Sequence, residues 1–393
     1  MNNFEYQRVT NLIFGKDQLS KLPHEIKKYT DKKILLTYGG GSIKKTGLYD
    51  QVINLLESNN IEYIELGGIK PNPEVDTARL GIKLIKENDI DFLLCVGGGS
   101  ALDNTKHMAI GSVCEEDIWE LVKDQSLIQD KTGLPKVGSI ITLAATGSEM
   151  NVGGVISNPE TEEKLGMFHP EVCPVFTFED PNQLSTLPEY QKRAGVCDIL
   201  SHLLEVYFSS HTDQLLSDRL IESIFKNVVS QYKEYIEDNT YNANGQIFLS
   251  STLALNGITR LGRDGEDWMA HQLEHEVSAI TDLTHGIGLA IIQPKLIREY
   301  YGMDIENNSD LIKFINFGKN VFGLTGPEVN IACECVKAIE HVFKDASGIE
   351  HLSDVDINNF DYTNAVSRAI ESNSMGNYVT FTKEQLENLF KKF

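Results

Sequence analysis

The stretch HQLEHEVSAITDLTHG, His271 to Gly286, places three histidines within sixteen residues of a 393-residue chain that has only ten. His271 and His275 stand at i and i+4, so on a helix both imidazoles leave the same face. His285 follows a break at Thr281-Asp-Leu-Thr. A second pair, Asp198 and His202 in RAGVCDILSHLLE, has the same spacing. Asp198, His202, His271 and His285 together offer one oxygen and three nitrogens. That donor set suits Zn²⁺ or Fe²⁺ and leaves a position for a substrate oxygen.

The letters HQLEH also fit H-x-x-E-H, a zinc-peptidase pattern in which His271 and His275 would bind the ion and Glu274 would polarise water. Spacing alone does not exclude this. The rest of the chain tells against it, because a peptidase leaves Asp198, His202 and His285 without a role. It also has no use for two glycine-rich turns, Gly39-Gly40-Gly41-Ser42 and Gly97-Gly98-Gly99-Ser100.

Each of those turns follows an apolar run and precedes a helical pattern. Glycine lets the backbone bend sharply and bring its N–H groups close to an anion. The helix N-terminus adds partial positive charge, worth roughly 0.3–1 kcal/mol per favourable contact. Asp103 and Lys106 fall in the first turns after the second loop, which fits a pyrophosphate site. Neither loop is G-x-G-x-x-G or a Walker A loop, but two such turns, both after strands, favour a nucleotide. NAD-selective sites commonly set a carboxylate beside the adenine ribose, where it repels a 2′-phosphate. After Gly39–Gly41 come Ser42, Lys44 and Lys45 instead. The expected cofactor is therefore NADP(H).

Strands are expected at Lys33–Tyr38, Glu62–Leu66, Asp91–Val96 and Gly138–Leu143, with helices at Gly47–Ser58, Thr77–Lys86 and Ala101–Ile110 between them. Strands alternating with helices give βαβ units and a parallel sheet. From about Pro188 the texture changes to long amphipathic stretches: Gln191–Ser209, Asp213–Glu237, Gln246–Leu261, Glu266–Ile280 and more from Leu311 to Phe343. The His271 helix is expected to begin at Asp264 or Asp267. The fold class is α/β followed by all-helical: an α/β domain over residues 1–185 and a helical domain over 186–393.

Composition agrees with an ordinary globular protein and narrows its partners. A net charge of −22 argues against nucleic acid and anionic membranes, which need clustered Lys and Arg. No apolar run approaches the roughly 18 residues that span a bilayer, and no secretory leader pattern opens the chain. The six scattered cysteines read as free thiols, so the protein is expected in the cytoplasm.

GGGSALDNTK (Gly97 to Lys106), TLAATGSEMN (Thr142 to Asn151), DILSH and HQLEHEVSAITDLTHG occur in an order and spacing that resemble the iron-containing (group III) alcohol dehydrogenase family. YGGGSIKKTG (Tyr38 to Gly47) is similar to its NADPH-dependent butanol dehydrogenase and aldehyde reductase branch. The resemblance covers nearly the whole chain. It implies interconversion of aldehydes and primary alcohols with one Fe²⁺ or Zn²⁺ bound by Asp198, His202, His271 and His285. It also implies a Rossmann-like dinucleotide-binding domain over residues 1–185, a helical metal-binding domain over 186–393, an active site in the cleft between them, and a homodimer. His275 matches a histidine near the nicotinamide that does not bind metal and relays a proton. Gly39, Gly40, Gly41 and Ser42 match the adenosine-side loop, with Asn72 in a matching Pro-Asn-Pro. Gly98, Gly99, Ser100 and Asp103 match pyrophosphate and ribose contacts, and Thr142, Thr146, Asn151 and Lys164 match residues lining the cofactor cleft. Many relatives carry a small residue where Glu274 stands, and Pro or Asp where Thr284 stands. Glycerol dehydrogenases and dehydroquinate synthases share the architecture but fit the Gly39 loop and the ligand set less well.

Overall fold

The computed structural model describes residues 2–209, 216–355, 357, 362–371 and 376–393. Gln7–Leu187 with Thr240–Phe248 forms one compact unit, and the remaining described residues form a second. The start of the stretch expected from Asp213 lies outside the described residues.

Eight strands lie in the first unit: β1 (Asn11–Phe14), β2 (Ile34–Tyr38), β3 (Tyr63–Leu66), β4 (Phe92–Gly97), β5 (Lys136–Ile141), β6 (Gly153–Asn158), β7 (Glu163–Phe168) and β8 (Phe176–Glu179). Six of them make one sheet in the order β1-β8-β5-β4-β2-β3, every pair parallel. The central strands read as continuous apolar runs because helices cover both of their faces. Every residue of β2 and β4 is buried, and their register sets Leu36 beside Leu94 and Tyr38 beside Val96. Stacked Phe92 and Phe176, with centroids 5.8 Å apart, continue this core.

The expected strands and helices of this unit are present, with ends moved by one or two residues. Additional are β1 and β8, of four residues each, and the antiparallel hairpin β6–β7. Four-residue runs such as NLIF and FTFE are too short for periodicity to distinguish from loop.

Among the described residues, helices alone build the second unit. Its centre is the Glu189–Tyr207 helix, buried at Lys192 and at every residue from Ala194 to Tyr207. This corrects the expectation of an amphipathic stretch there: a helix buried all round belongs to the middle of its domain. Around it pack Leu216–Lys233, Met269–Thr281, His285–Glu306 and Glu328–Ser347. Among the described residues, no helix is long and apolar enough to cross a membrane, and all six cysteines are free.

Candidate functional site

The buried Glu189–Tyr207 helix carries Asp198, His202 and Glu205 on one face, at i, i+4 and i+7. Polar groups so deeply buried need compensation. The Met269–Thr281 helix brings His271 and His275. Asp282, in the left-handed region at φ 54°, closes that helix, and His285 is the first residue of the His285–Glu306 helix. The predicted break before His285 is thus a tight turn that re-aims the chain by one helix.

Three of these side chains converge on Asp198. Its Oδ1 lies 3.5 Å from His202 Nε2, 3.6 Å from His271 Nε2 and 3.7 Å from His285 Nε2. In a tetrahedral site with bonds of 2.0–2.1 Å, ligand atoms stand about 3.3–3.4 Å apart. Neither Asp198 Oδ1 nor His271 Nε2 has a hydrogen-bond partner, although both are buried. Buried atoms of this kind, at this separation, fit a divalent ion as the shared partner.

Carboxylates orient two of the histidines from behind. Glu205 Oε2 takes the Nδ1 of His271, while its Oε1 accepts from the backbone N–H of Ala270 at 2.5 Å and of His271 at 3.2 Å. One buried side chain therefore caps the first turn of the His271 helix and aims its ligand. This corrects the expected start at Asp264 or Asp267: the helix begins at Met269, behind Trp268 in the left-handed region at φ 60°. Glu274 Oε2 takes the Nδ1 of His285 in the same way. Such carboxylate–histidine pairs fix ring orientation and tautomer. Sequence reasoning missed Glu205, although its heptad spacing from Asp198 was the available signal.

Burial works to lower His271, but Glu205 and Asp198 override it and push its pKa up to about 10. Burial drives His202 down to about 3. Burial opposes ionisation of Asp198, yet the surrounding histidines hold its carboxyl well below the usual range. Glu274 is fully buried and its carboxylate is engaged by His285, so it is not set to polarise water as the peptidase pattern requires. His275 has its ring centroid 6.5 Å from His271 and 5.5 Å from His285, and it is partly exposed. Asp198, His202 and His271 have donor atoms within 4.8 Å of one another, as do Glu274, His275 and His285; His285 also reaches the first group, through Nε2 at 3.7 Å from Asp198 Oδ1.

Asp267 braces the same region. Its carboxylate accepts from the backbone N–H of Asn377 at 2.6 Å and of Tyr378 at 2.9 Å, and from the Tyr300 hydroxyl. Burial lifts its pKa from 3.8 to about 6. A carboxyl with a raised folded pKa stabilises below its unfolded pKa and loses that contribution as pH rises through the folded one. Asp267→Asn keeps an acceptor for both N–H groups and cannot ionise. Between about pH 4.5 and about pH 7 the variant should gain about 2 kcal/mol on the parent. Denaturant melts at the two pH values check this; parallel curves for the two proteins would refute it.

In the first unit the thirteen expected cofactor residues gather around the carboxyl ends of the sheet strands and the hairpin beside them. From β2 the chain continues to β3 on one side, while β4 pairs with β2 on the other. Strand order therefore reverses between β2 and β4, the place where open parallel sheets bind ligands. Gly39–Ser42 follows β2, and Gly98 and Gly99 follow β4, one turn on each flank of that switch point. Gly41 has φ 102°, which side chains rarely adopt. At Gly99 a Cβ would meet Thr146 Oγ1 at 2.2 Å, so Thr146 packs directly on the turn and its backbone stays bare. The Gly99–Ser112 helix starts there and presents Ser100 in its first turn.

The remaining residues are tied in by hydrogen bonds. Thr142 N–H donates to Gly97 O at 3.0 Å. Asp103 accepts from Ser148 Oγ at 2.6 Å and from Val155 N–H at 3.0 Å. Ile69 N–H donates to Tyr38 O, and Ser157 N–H to Pro73 O, so the Asn72 connection bridges the first turn and the hairpin that holds buried Lys164 opposite Ser157. Lys106 departs from expectation. Its ammonium is buried and donates to Ser148 O and Oγ, Asn151 O and Oδ1, and Gly153 O, at 2.6–3.1 Å. It holds the 148–153 loop and has no donor left for a phosphate. Lys44 is also engaged: its Nζ lies 4.9 Å and 4.5 Å from the ring centroids of Tyr38 and Tyr49, whose hydroxyls both donate to Glu65.

Comparison with known proteins gives the family. The model for "Iron-containing alcohol dehydrogenase" matches residues 9–181, and that for "Fe-containing alcohol dehydrogenase family, C-terminal" matches residues 193–393. The chain belongs to the iron-containing alcohol dehydrogenase family and is an alcohol/aldehyde oxidoreductase. It is 39% identical over 400 residues to NADH-dependent butanol dehydrogenase B of Clostridium acetobutylicum, covering 100% of both chains. It is 35% identical over 358 residues to the NADPH-dependent aldehyde reductase YqhD of Escherichia coli, covering 90% of this chain and 89% of the other. The crystal structure of NADH-dependent butanol dehydrogenase A from Thermotoga maritima superposes with a TM-score of 0.92 at 31% identity, covering 100% of this chain and 98% of that one.

Proposed function

We propose that the protein reduces butanal-like aldehydes, and oxidises the corresponding primary alcohols, with NADP(H) and one Fe²⁺ or Zn²⁺. The observation that carries this reading is the convergence of His202, His271 and His285 Nε2 on the unpartnered Asp198 Oδ1. When bound, the nicotinamide supplies the hydride and the metal supplies a Lewis acid for the substrate oxygen. Asp198, His202, His271 and His285 are the ligands in this reading, with Glu205 holding His271 in register. Gly98, Gly99 and Ser100 cradle the pyrophosphate with backbone N–H groups at a helix N-terminus. Gly39–Ser42 and Asn72 take the adenosine side, and Asp103, Thr142, Thr146, Asn151 and Lys164 shape the wall around them. Partly exposed His275 can hold a proton for the product oxygen and exchange it with solvent.

NADPH oxidation with butanal, before and after exhaustive chelation and with Fe²⁺ or Zn²⁺ restored, tests the whole. Loss on chelation and recovery with one metal is the expected result. Turnover that survives complete removal of metal would overturn the Lewis-acid reading.

The choice of NADP(H) rests on the lack of a carboxylate in Gly39–Ser42. The relatives' names carry both cofactors, so the turn must be tested in this chain. A Cβ at Gly39 would lie 3.4 Å from Ile69 O, at the edge of ordinary contact, and the backbone there tolerates a side chain. Gly39→Asp should move the NADPH/NADH ratio of kcat/KM toward NADH by about tenfold or more, through repulsion of the 2′-phosphate. An unmoved ratio would place the selectivity elsewhere.

A further inference from the structure

We propose that Glu274 is the positioning residue that readies His285 for metal, keeping the proton on Nδ1 so that Nε2 turns its lone pair toward Asp198. This rests on the metal reading of Asp198, His202, His271 and His285. A neutral imidazole has one N–H and one lone pair, and the partner of the N–H decides which nitrogen is which. Glu274 Oε2 faces Nδ1, while Nε2 lies 3.7 Å from Asp198 Oδ1. With Glu274 accepting at Nδ1, the lone pair is left on Nε2, the nitrogen that faces Asp198.

His285 needs this brace more than its neighbours do. It opens its helix directly after a turn, and its side chain is 24% exposed, against 5% for His202 and 9% for His271. Packing therefore restrains the His285 ring least. Nor does a preceding helical turn hold its backbone, since Thr284 is extended at φ −60°, ψ 122°.

The seat for the Glu274 carboxylate comes from the helix it braces. At Gly288 a Cβ would lie 2.7 Å from Glu274 Cγ and 3.0 Å from Oε1. Gly288 stands three residues after His285, on the same face. One helix thus presents both the ligand and the bare patch that admits the carboxylate. The arrangement also explains the otherwise costly burial of a third acidic side chain, 0% exposed, within the cluster.

The test uses the full chain and needs neither substrate nor nicotinamide. Zn²⁺ affinity is measured by competition with a chromophoric chelator, and site geometry by the visible spectrum of bound Co²⁺. Glu274→Gln keeps an acceptor, whereas Glu274→Met fills similar space without one. Glu274→Met should bind Zn²⁺ roughly 10- to 100-fold more weakly and change the Co²⁺ spectrum, while Glu274→Gln stays near the parent. If the methionine variant does not fold, Gly288→Ala, which crowds the carboxylate, should weaken Zn²⁺ in its place. Parent-like affinity in Glu274→Met, or equal losses in Met and Gln, would overturn the positioning role. Asp198→Ala in the same titration separates the two ideas: if it too binds like the parent, the metal reading itself has failed.

Discussion

Asp198→Ala should purify folded, bind NADPH as tightly as the parent, contain no Fe²⁺ or Zn²⁺, and turn over butanal at background rates. Asp198 is the one anionic donor among the four proposed ligands, and the three imidazole nitrogens lie 3.5–3.7 Å from its Oδ1. Without it the histidines would have to gather around a dication with no anionic donor bound to it. Stabilisation of developing charge on the substrate oxygen is worth several kcal/mol, so turnover should fall by at least about 1,000-fold. Stability of the metal-free chain should fall as well. Despite burial, the histidines hold the Asp198 carboxyl below its usual range, so the ionised side chain contributes to the fold at neutral pH and alanine removes that contribution. The metal-free variant should therefore melt lower than the metal-free parent while remaining folded. Retained NADPH binding is expected because the glycine turns belong to the other compact unit. Metal analysis, NADPH fluorescence titration and a chelated-protein melt check the three statements separately. Parent-like metal content would sink the ligand assignment.

The glycine turns were legible in the sequence because glycine announces itself where backbone must turn or approach closely, and the central strands because burial on both faces makes them uniformly apolar. The His271 helix start was not. Asp264 and Asp267 look like local caps, yet the first-turn N–H groups are satisfied by Glu205, from a helix more than sixty residues earlier. Tertiary capping leaves no local pattern. Lys106 failed for a related reason: a lysine near a glycine turn suggests phosphate, while its five acceptors come from residues 148–153 and only the fold brings them together. In the sequence Glu274 is only the water-polarising position of the peptidase pattern and a place where many relatives carry a small residue. Its partner, eleven residues on, becomes visible only once the turn at Thr281–Thr284 has reversed the chain.

Gly286→Ala should destabilise the protein and weaken its metal site together, although alanine is the better helix former by about 1 kcal/mol. A Cβ at Gly286 would lie 2.0 Å from the Ala194 carbonyl oxygen, 2.6 Å from its carbon and 3.0 Å from its Cα. All three are main-chain atoms of the buried Glu189–Tyr207 helix, so no rotamer change relieves the clash. The two helices must move apart, opening a core in which Ile287, Leu289 and Leu200 are fully buried. Such overpacking costs about 1–3 kcal/mol or more, which outweighs the gain in helix propensity. Ala194 lies one turn before Asp198, and Gly286 is the neighbour of His285. Separating the helices there pulls His285 Nε2 from Asp198 Oδ1, now 3.7 Å away. Gly302→Ala, later in the same helix, is the control: a Cβ there meets nothing within 4 Å, so it should stabilise by roughly 0.5–1 kcal/mol and leave the metal untouched. Urea melts and Zn²⁺ competition on both variants decide the matter. A Gly286→Ala protein as stable as Gly302→Ala would mean that the two helices do not approach this closely.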